Sequence, residues 1–197
     1  MSARFVSILI PFAALAFSIA PAAAQSNTDP EGRFTGGAPP GKLFSLFGAI
    51  SAIPRTTVNY SSKHAPGTIV INTGERRLYY ILDDGSALRY GIGVGRVGFT
   101  WAGTTAVSFK REWPDWTPPP QMLRRRPDLP RYMPGGPENP LGARAMYLGS
   151  TLFRIHGSNE PETIGQAVSS GCFRLTNEDV IDLYSRVRVG AKVVVIR

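Results

Sequence analysis

The chain has 197 residues, a net charge of +8 and a single cysteine. One cysteine excludes an internal disulfide framework, and with only two histidines beside it the chain makes a poor metal set. The positive charge comes without a nucleic-acid motif, so it either draws the protein to anionic polymers such as a bacterial cell wall or only keeps it soluble.

Arg4 gives a short basic start, Phe5 to Ala20 is an uncharged apolar run, and Ala22-Ala23-Ala24 fits the cleavage pattern of a secretory signal. A membrane anchor is the competing reading. Against it stand Pro11 and Pro21, and the roughly 20 apolar residues needed to span a bilayer. Residues 1–24 are expected to be a cleaved signal peptide, which exports the chain to the periplasm. No later stretch is apolar enough to span a membrane, so none is expected in the mature chain. Residues 25–57 read as a linker. Ser26 to Pro40 is rich in Gly, Pro and small polar residues, and Leu43 to Ile53 is apolar enough for a short docking helix.

The domain is expected over 58–197. Thr68 to Asn72 and Leu78 to Leu82, joined by Gly74-Glu75-Arg76, read as a hairpin. Ala87 to Val94 reads as a third strand. The glycines at 91, 93, 95 and 98 are expected to be backbone bends rather than a phosphate loop, because no helix follows them. Thr104 to Phe109 is a further strand. Residues 113–142 carry many prolines, Trp113, Trp116 and the run Arg124-Arg125-Arg126. A loop of this length is a lid, a substrate-binding loop or disordered; its aromatics and prolines favour an ordered surface. The arginine run reads as a solvated face.

Ala143 to Leu148 and Thr151 to Ile155 read as strands, and Pro161 to Gln166 as a short helix. Thr176-Asn177-Glu178-Asp179 fits a capping box. Val180, Leu183, Tyr184 and Val187 then recur at helical spacing, predicting a helix over 176–187. Ala191 to Arg197 closes the chain as a strand. The pattern is mainly β, an antiparallel sandwich or barrel-like core with one or two helices.

The chemistry is concentrated in His156-Gly157-Ser158 and Ser169-Ser170-Gly171-Cys172-Phe173-Arg174. A free thiol is little ionised at neutral pH, and a nearby imidazole can take its proton and pass it to a leaving amine. Gly171 lets backbone approach an acyl group, and the amides of Gly171 and Cys172 can face an oxyanion. Gly157 or Ser158 can orient the imidazole through its other nitrogen. The competing reading is a buried, inert cysteine and an unrelated histidine; His64 lies in a loop without a partner pattern.

These elements resemble the signature of the L,D-transpeptidase catalytic domain, the YkuD-like family. That signature has a His-Gly-Thr-like element and then Ser-x-Gly-Cys-x-Arg leading into a helix with an Asp. Tyr132-Met133-Pro134-Gly135-Gly136-Pro137-Glu138-Asn139-Pro140-Leu141-Gly142 is similar to the segment upstream of it. The resemblance covers roughly 66–197. It departs in Ser170, where many members carry His, and in Ser158 in place of Thr. It implies an L,D-transpeptidase-like β-sandwich or barrel, with Cys172 as nucleophile and His156 as base. It also implies an oxyanion hole from the Gly171–Cys172 backbone, supported by Ser170, Gly157 and Ser158. Arg174 and Tyr132 become candidates for substrate contact; for Arg174 a structural pair with a helix acid is the alternative. The implied reaction joins peptidoglycan stem peptides through a thioester, without cofactor or metal. Carbapenem-type inhibitors are expected to acylate it. Water or an envelope protein as acceptor would make it a carboxypeptidase or an anchoring enzyme. A wall-binding module with an incidental thiol is the non-enzymatic rival.

Overall fold

The computed structural model describes residues 53–197. The expected signal peptide and residues 25–52 of the expected linker, including all but the last residue of its possible helix, lie outside the described residues. Among the described residues no helix is long and apolar enough to cross a membrane.

The domain is built on eleven strands: β1 (Thr56–Asn59), β2 (Ile69–Asn72), β3 (Arg77–Ile81), β4 (Ser86–Gly91), β5 (Val94–Gly95), β6 (Gly103–Glu112), β7 (Arg144–Leu148), β8 (Arg154–His156), β9 (Ala167–Ser169), β10 (Phe173–Arg174) and β11 (Lys192–Ile196). Nine of them form one sheet in the order β1-β4-β3-β2-β11-β6-β7-β8-β10, and β5 pairs with β9 beside it. The sheet is open at β1 and β10, so the sandwich-like alternative holds and the barrel does not. The pairing is also mixed rather than antiparallel throughout, because β2–β11, β8–β10 and β5–β9 are parallel. Parallel neighbours are joined by long crossovers, which turn signals do not reveal.

β6 is the corner of the fold. Its first half pairs with β11 and its second half with β7, with a register irregularity between Val107 and Phe109. Such a bulge bends a strand, and here it carries one strand into both halves of the sheet. The halves share one core. Ile69, Ile71 and Leu78 come from one side, Met146, Leu148, Ile155 and Phe173 from the other, and Val180, Leu183 and Val187 from helix α2 (Asn177–Arg186). β1 begins at Thr56, two residues ahead of the expected domain edge. The expected loop over 113–142 contains a short helix, α1 (Pro120–Arg125). The loop is ordered by its own backbone, since Trp116 and Met133 exchange two N–H to O bonds of 2.8 Å. The helix expected at 161–166 is a single 3-10 turn, Pro161–Thr163.

α2 follows the cysteine segment directly and is fixed along its length. The Thr176 hydroxyl accepts from the Asp179 N–H at 3.2 Å, half of the expected capping box. The Asp179 carboxylate turns instead to Arg55 at 3.5 Å. Tyr90, fully buried in β4, donates to Asp182 at 2.6 Å. At the other end Lys110 of β6 caps the carbonyls of Tyr184 and Val187, both at 2.6 Å. Replacing a hydroxyl N-cap leaves a helix amide unpaired. Thr176→Ala is therefore expected to lower stability by about 1 kcal/mol, read as a shift in urea midpoint with unchanged slope.

Candidate active site

His156 ends β8 and Arg174 ends β10, and the two strands run parallel with Phe173 opposite Ile155 and Arg174 opposite His156. Phe173 and Ile155 point into the core. Side chains alternate along a strand, so Arg154, His156, Cys172 and Arg174 share the other face. Extending the register by one pair sets Cys172 beside Arg154, with His156 diagonally next. Across Arg154 on the far side stands Tyr147 of β7, its register partner, and the guanidinium lies 5.0 Å from the Tyr147 ring centroid.

The imidazole of His156 is buried, and its Nδ1 lies 2.6 Å from the carbonyl oxygen of Gly157. A carbonyl only accepts, so Nδ1 carries the proton and Nε2 is left as the basic nitrogen. Burial, then the nearby charge of Arg174, holds the imidazole pKa down to about 3. Of the two residues expected to orient it, Gly157 does so. The Ser158 hydroxyl is occupied with the Glu160 N–H at 3.0 Å. Gly157 also has a packing reason to be glycine. A Cβ there would run into the Asn177 side chain and lie 3.1 Å from the Ala143 nitrogen. Asn177, the first residue of α2, accepts from the Ala143 N–H at 2.8 Å, so the helix start and the histidine segment are fixed together.

Cys172 is partly exposed, with Sγ 3.8 Å from the Leu152 carbonyl. Burial pushes the thiol up, while the Arg154 backbone and guanidinium and the charge of Arg174 pull it back. Resting thiol and resting imidazole are thus both neutral. The Gly171 N–H donates to the Ser169 hydroxyl at 3.1 Å, and that hydroxyl donates to the Cys172 carbonyl at 2.6 Å. The Cys172 N–H has no hydrogen bond among the described residues. Of the two amides expected to face an oxyanion, this is the one left open. Gly171 has φ +110°, and a Cβ would meet the Phe153 ring and lie 3.0 Å from the Phe99 carbonyl. Phe153 in turn stacks on Trp101 at 5.1 Å between centroids.

Arg174 pairs with Glu160 at 2.9 Å, an acid of the turn after His156 and not of the helix. Ser170 is partly buried next to Gly171. Tyr132 is exposed on the 113–142 loop. Sequence reasoning missed Arg154, and it named Ser169 only as the serine of the signature, without its role. Arg154 lies two residues before His156, so strand parity alone would have set it on the same face. The role of Ser169 carries no such signal, because it depends on the turn it stabilises.

A family model described as the L,D-transpeptidase catalytic domain matches residues 66–195. The chain belongs to that family. A probable L,D-transpeptidase ErfK/SrfK of Escherichia coli (strain K12) is 42% identical over 137 residues, covering 65% of this chain and 43% of the relative. This L,D-transpeptidase-family chain thus spans less than half of that relative's length. A Brucella melitensis crystal structure is 46% identical, with a TM-score of 0.50 over 74% of this chain and 94% of that one. It is described as a probable carnitine operon oxidoreductase, a redox name that the family match does not share. The NMR structure of the E. faecium L,D-transpeptidase catalytic domain acylated by ertapenem has a TM-score of 0.51 at 22% identity. It covers 68% of this chain and 99% of that domain, and it shares the fold.

The electrostatics set a pH dependence. With the thiol pushed up and the imidazole neutral down to about 3, alkylation of Cys172 by iodoacetamide should rise with pH past the ordinary thiol range, with no inflection near 6.5. Arg154→Met removes a positive charge that favours the thiolate, so its rate midpoint should lie at still higher pH.

Proposed function

We propose that the protein is a periplasmic L,D-transpeptidase that joins peptidoglycan stem peptides through a thioester on Cys172. The observation that carries this reading is the β8–β10 register. From strand rise and spacing, it leaves about 8 Å between the Cα atoms of Cys172 and His156, a gap short enough for a thiol and an imidazole side chain to meet across. The Gly157 carbonyl, by holding Nδ1–H, leaves Nε2 free to act.

The reaction runs in two halves. As Sγ attacks the carbonyl carbon of the L,D-amide, Nε2 of His156 takes the thiol proton. The Cys172 N–H donates to the oxyanion. Collapse breaks the C–N bond, and the imidazolium protonates the departing D-alanine amine. An acceptor amine on a neighbouring stem then attacks the thioester, gives its proton to Nε2, and the sulfur leaves and recovers a proton. A buried imidazole that resists charging is suited to a brief imidazolium that discharges onto a leaving group. The apolar run and Ala22-Ala23-Ala24 support export.

Exposure to ertapenem should add one inhibitor mass to the wild-type protein and none to Cys172→Ala. A folded wild-type protein that gains no mass would count against the enzyme and leave the wall-binding module. His156→Ala should slow the acylation about 10²–10⁴-fold. Incubation with a tetrapeptide stem should yield a dimeric product with release of D-alanine. Tripeptide alone would make the protein a carboxypeptidase, and product only with an added envelope protein would make it an anchoring enzyme.

A further inference from the structure

Two arginines beside the cysteine loop lack acidic partners. The Cζ of Arg96 lies 4.6 Å, and that of Arg125 5.4 Å, from the ring centroid of Phe99. Neither reaches a carboxylate among the described residues, whereas Arg111, Arg126, Arg144, Arg174 and Arg186 each do. Arg96 stands in the turn between β5 and β6, and Arg125 ends α1, so the aromatic ring joins two segments distant in sequence.

This pair lies at the candidate active site. The Arg96 N–H donates to the Ser169 carbonyl at 3.0 Å, and the Phe99 N–H returns to the Arg96 carbonyl at 2.9 Å. The Phe99 carbonyl lies close against Gly171, 3.0 Å from where a Cβ there would sit. The turn therefore rests on the residues just before Cys172, with Val97 at its tip 96% exposed. A ring face attracts one cation modestly, but two like charges over one ring also repel each other. Burial and the charge of Arg125 both disfavour the charged form of Arg96. An anion between the two guanidinium groups would remove that conflict, and their planar forks match a carboxylate.

We propose that Arg96 and Arg125 form a carboxylate-binding subsite for the donor stem peptide, beside the 169–172 segment where the 96–99 turn and α1 meet at the Phe99 ring. The proposal rests on the transpeptidase reading. Stem peptides suit it chemically: a γ-linked D-glutamate keeps its α-carboxylate free, and diaminopimelate carries a second carboxylate beyond the backbone. Holding one of these between the two arginines would fix the peptide upstream of the amide that the sulfur attacks.

The test measures binding of L-alanyl-γ-D-glutamyl-diaminopimelyl-D-alanine to the Cys172→Ala protein by calorimetry, without turnover. It compares the parent with versions that also carry Arg96→Gln, Arg125→Gln or Arg96→Lys. Two further peptides have either the glutamate or the diaminopimelate carboxylate converted to its amide. The Gln variants should each weaken binding about tenfold, as expected for a lost charge-assisted bond, and Arg96→Lys should weaken it less. One of the amidated peptides should bind the parent as weakly as the acid binds the Gln variants, and those variants should no longer tell the two apart. Gln variants that bind acid and amide as the parent does would overturn the subsite. So would a fall in melting temperature with unchanged binding, which would make the arginines a latch for α1 only. Failure of the parent to bind the peptide would overturn it too. Ertapenem acylation of the wild-type protein is scored separately, so loss of the subsite and loss of the transpeptidase reading give different results.

Discussion

Two residue pairs of parallel β-structure, Phe173 against Ile155 and Arg174 against His156, position everything else at the site. A slip of one residue would turn Cys172 into the core and Phe173 out of it, so the buried aromatic ring specifies the register. The same pairing delivers the cysteine segment straight into α2, whose start is tied back to the histidine strand through Asn177 and Ala143. Thiol and imidazole are thus held by two independent constraints, one from the sheet and one from the helix.

The environment that results is low in charge at the reacting groups and high in charge around them. Arg154 and Arg174 stand beside a buried imidazole and a partly buried thiol. The positive surroundings favour a thiolate over an imidazolium. In the proposed reaction, proton and sulfur therefore move together during attack, rather than rest as a preformed ion pair. A neutral thiol is also less exposed to chance oxidation, since thiolates react first.

Much of this was legible in the sequence wherever the signal was local. The β2–β3 hairpin announced itself through Gly74-Glu75, and α2 through Thr176 and its apolar stripe. The cysteine and histidine motifs came with their glycines, whose need for space at 157 and 171 the fold explains. Illegible parts depended on distant chain. β10 is two residues long and exists only because β8 lies alongside. β5 and β9 likewise pair across some seventy residues of intervening chain. α1 sits in a proline-rich stretch whose composition argues for loop. The arginine run 124–126 read as a uniform solvated face, yet its members part ways: Arg126 meets Asp128, while Arg125 lies over Phe99. Arg174 was read as a substrate contact, with a helix acid as its alternative partner; its carboxylate is Glu160, which a turn brings near.

β6 belongs to both halves of the sheet, with the bulge at Val107–Phe109 between its two ladders. Adding or deleting a residue within it would offset β11 on one side or β7 on the other, and would invert which side chains face the core. Length variation is therefore barred from that strand and confined to the loops it feeds, above all 113–142. Such a scaffold can change the surface it offers to substrate, through insertions and trimming in that loop, while the spacing between sulfur and imidazole stays untouched.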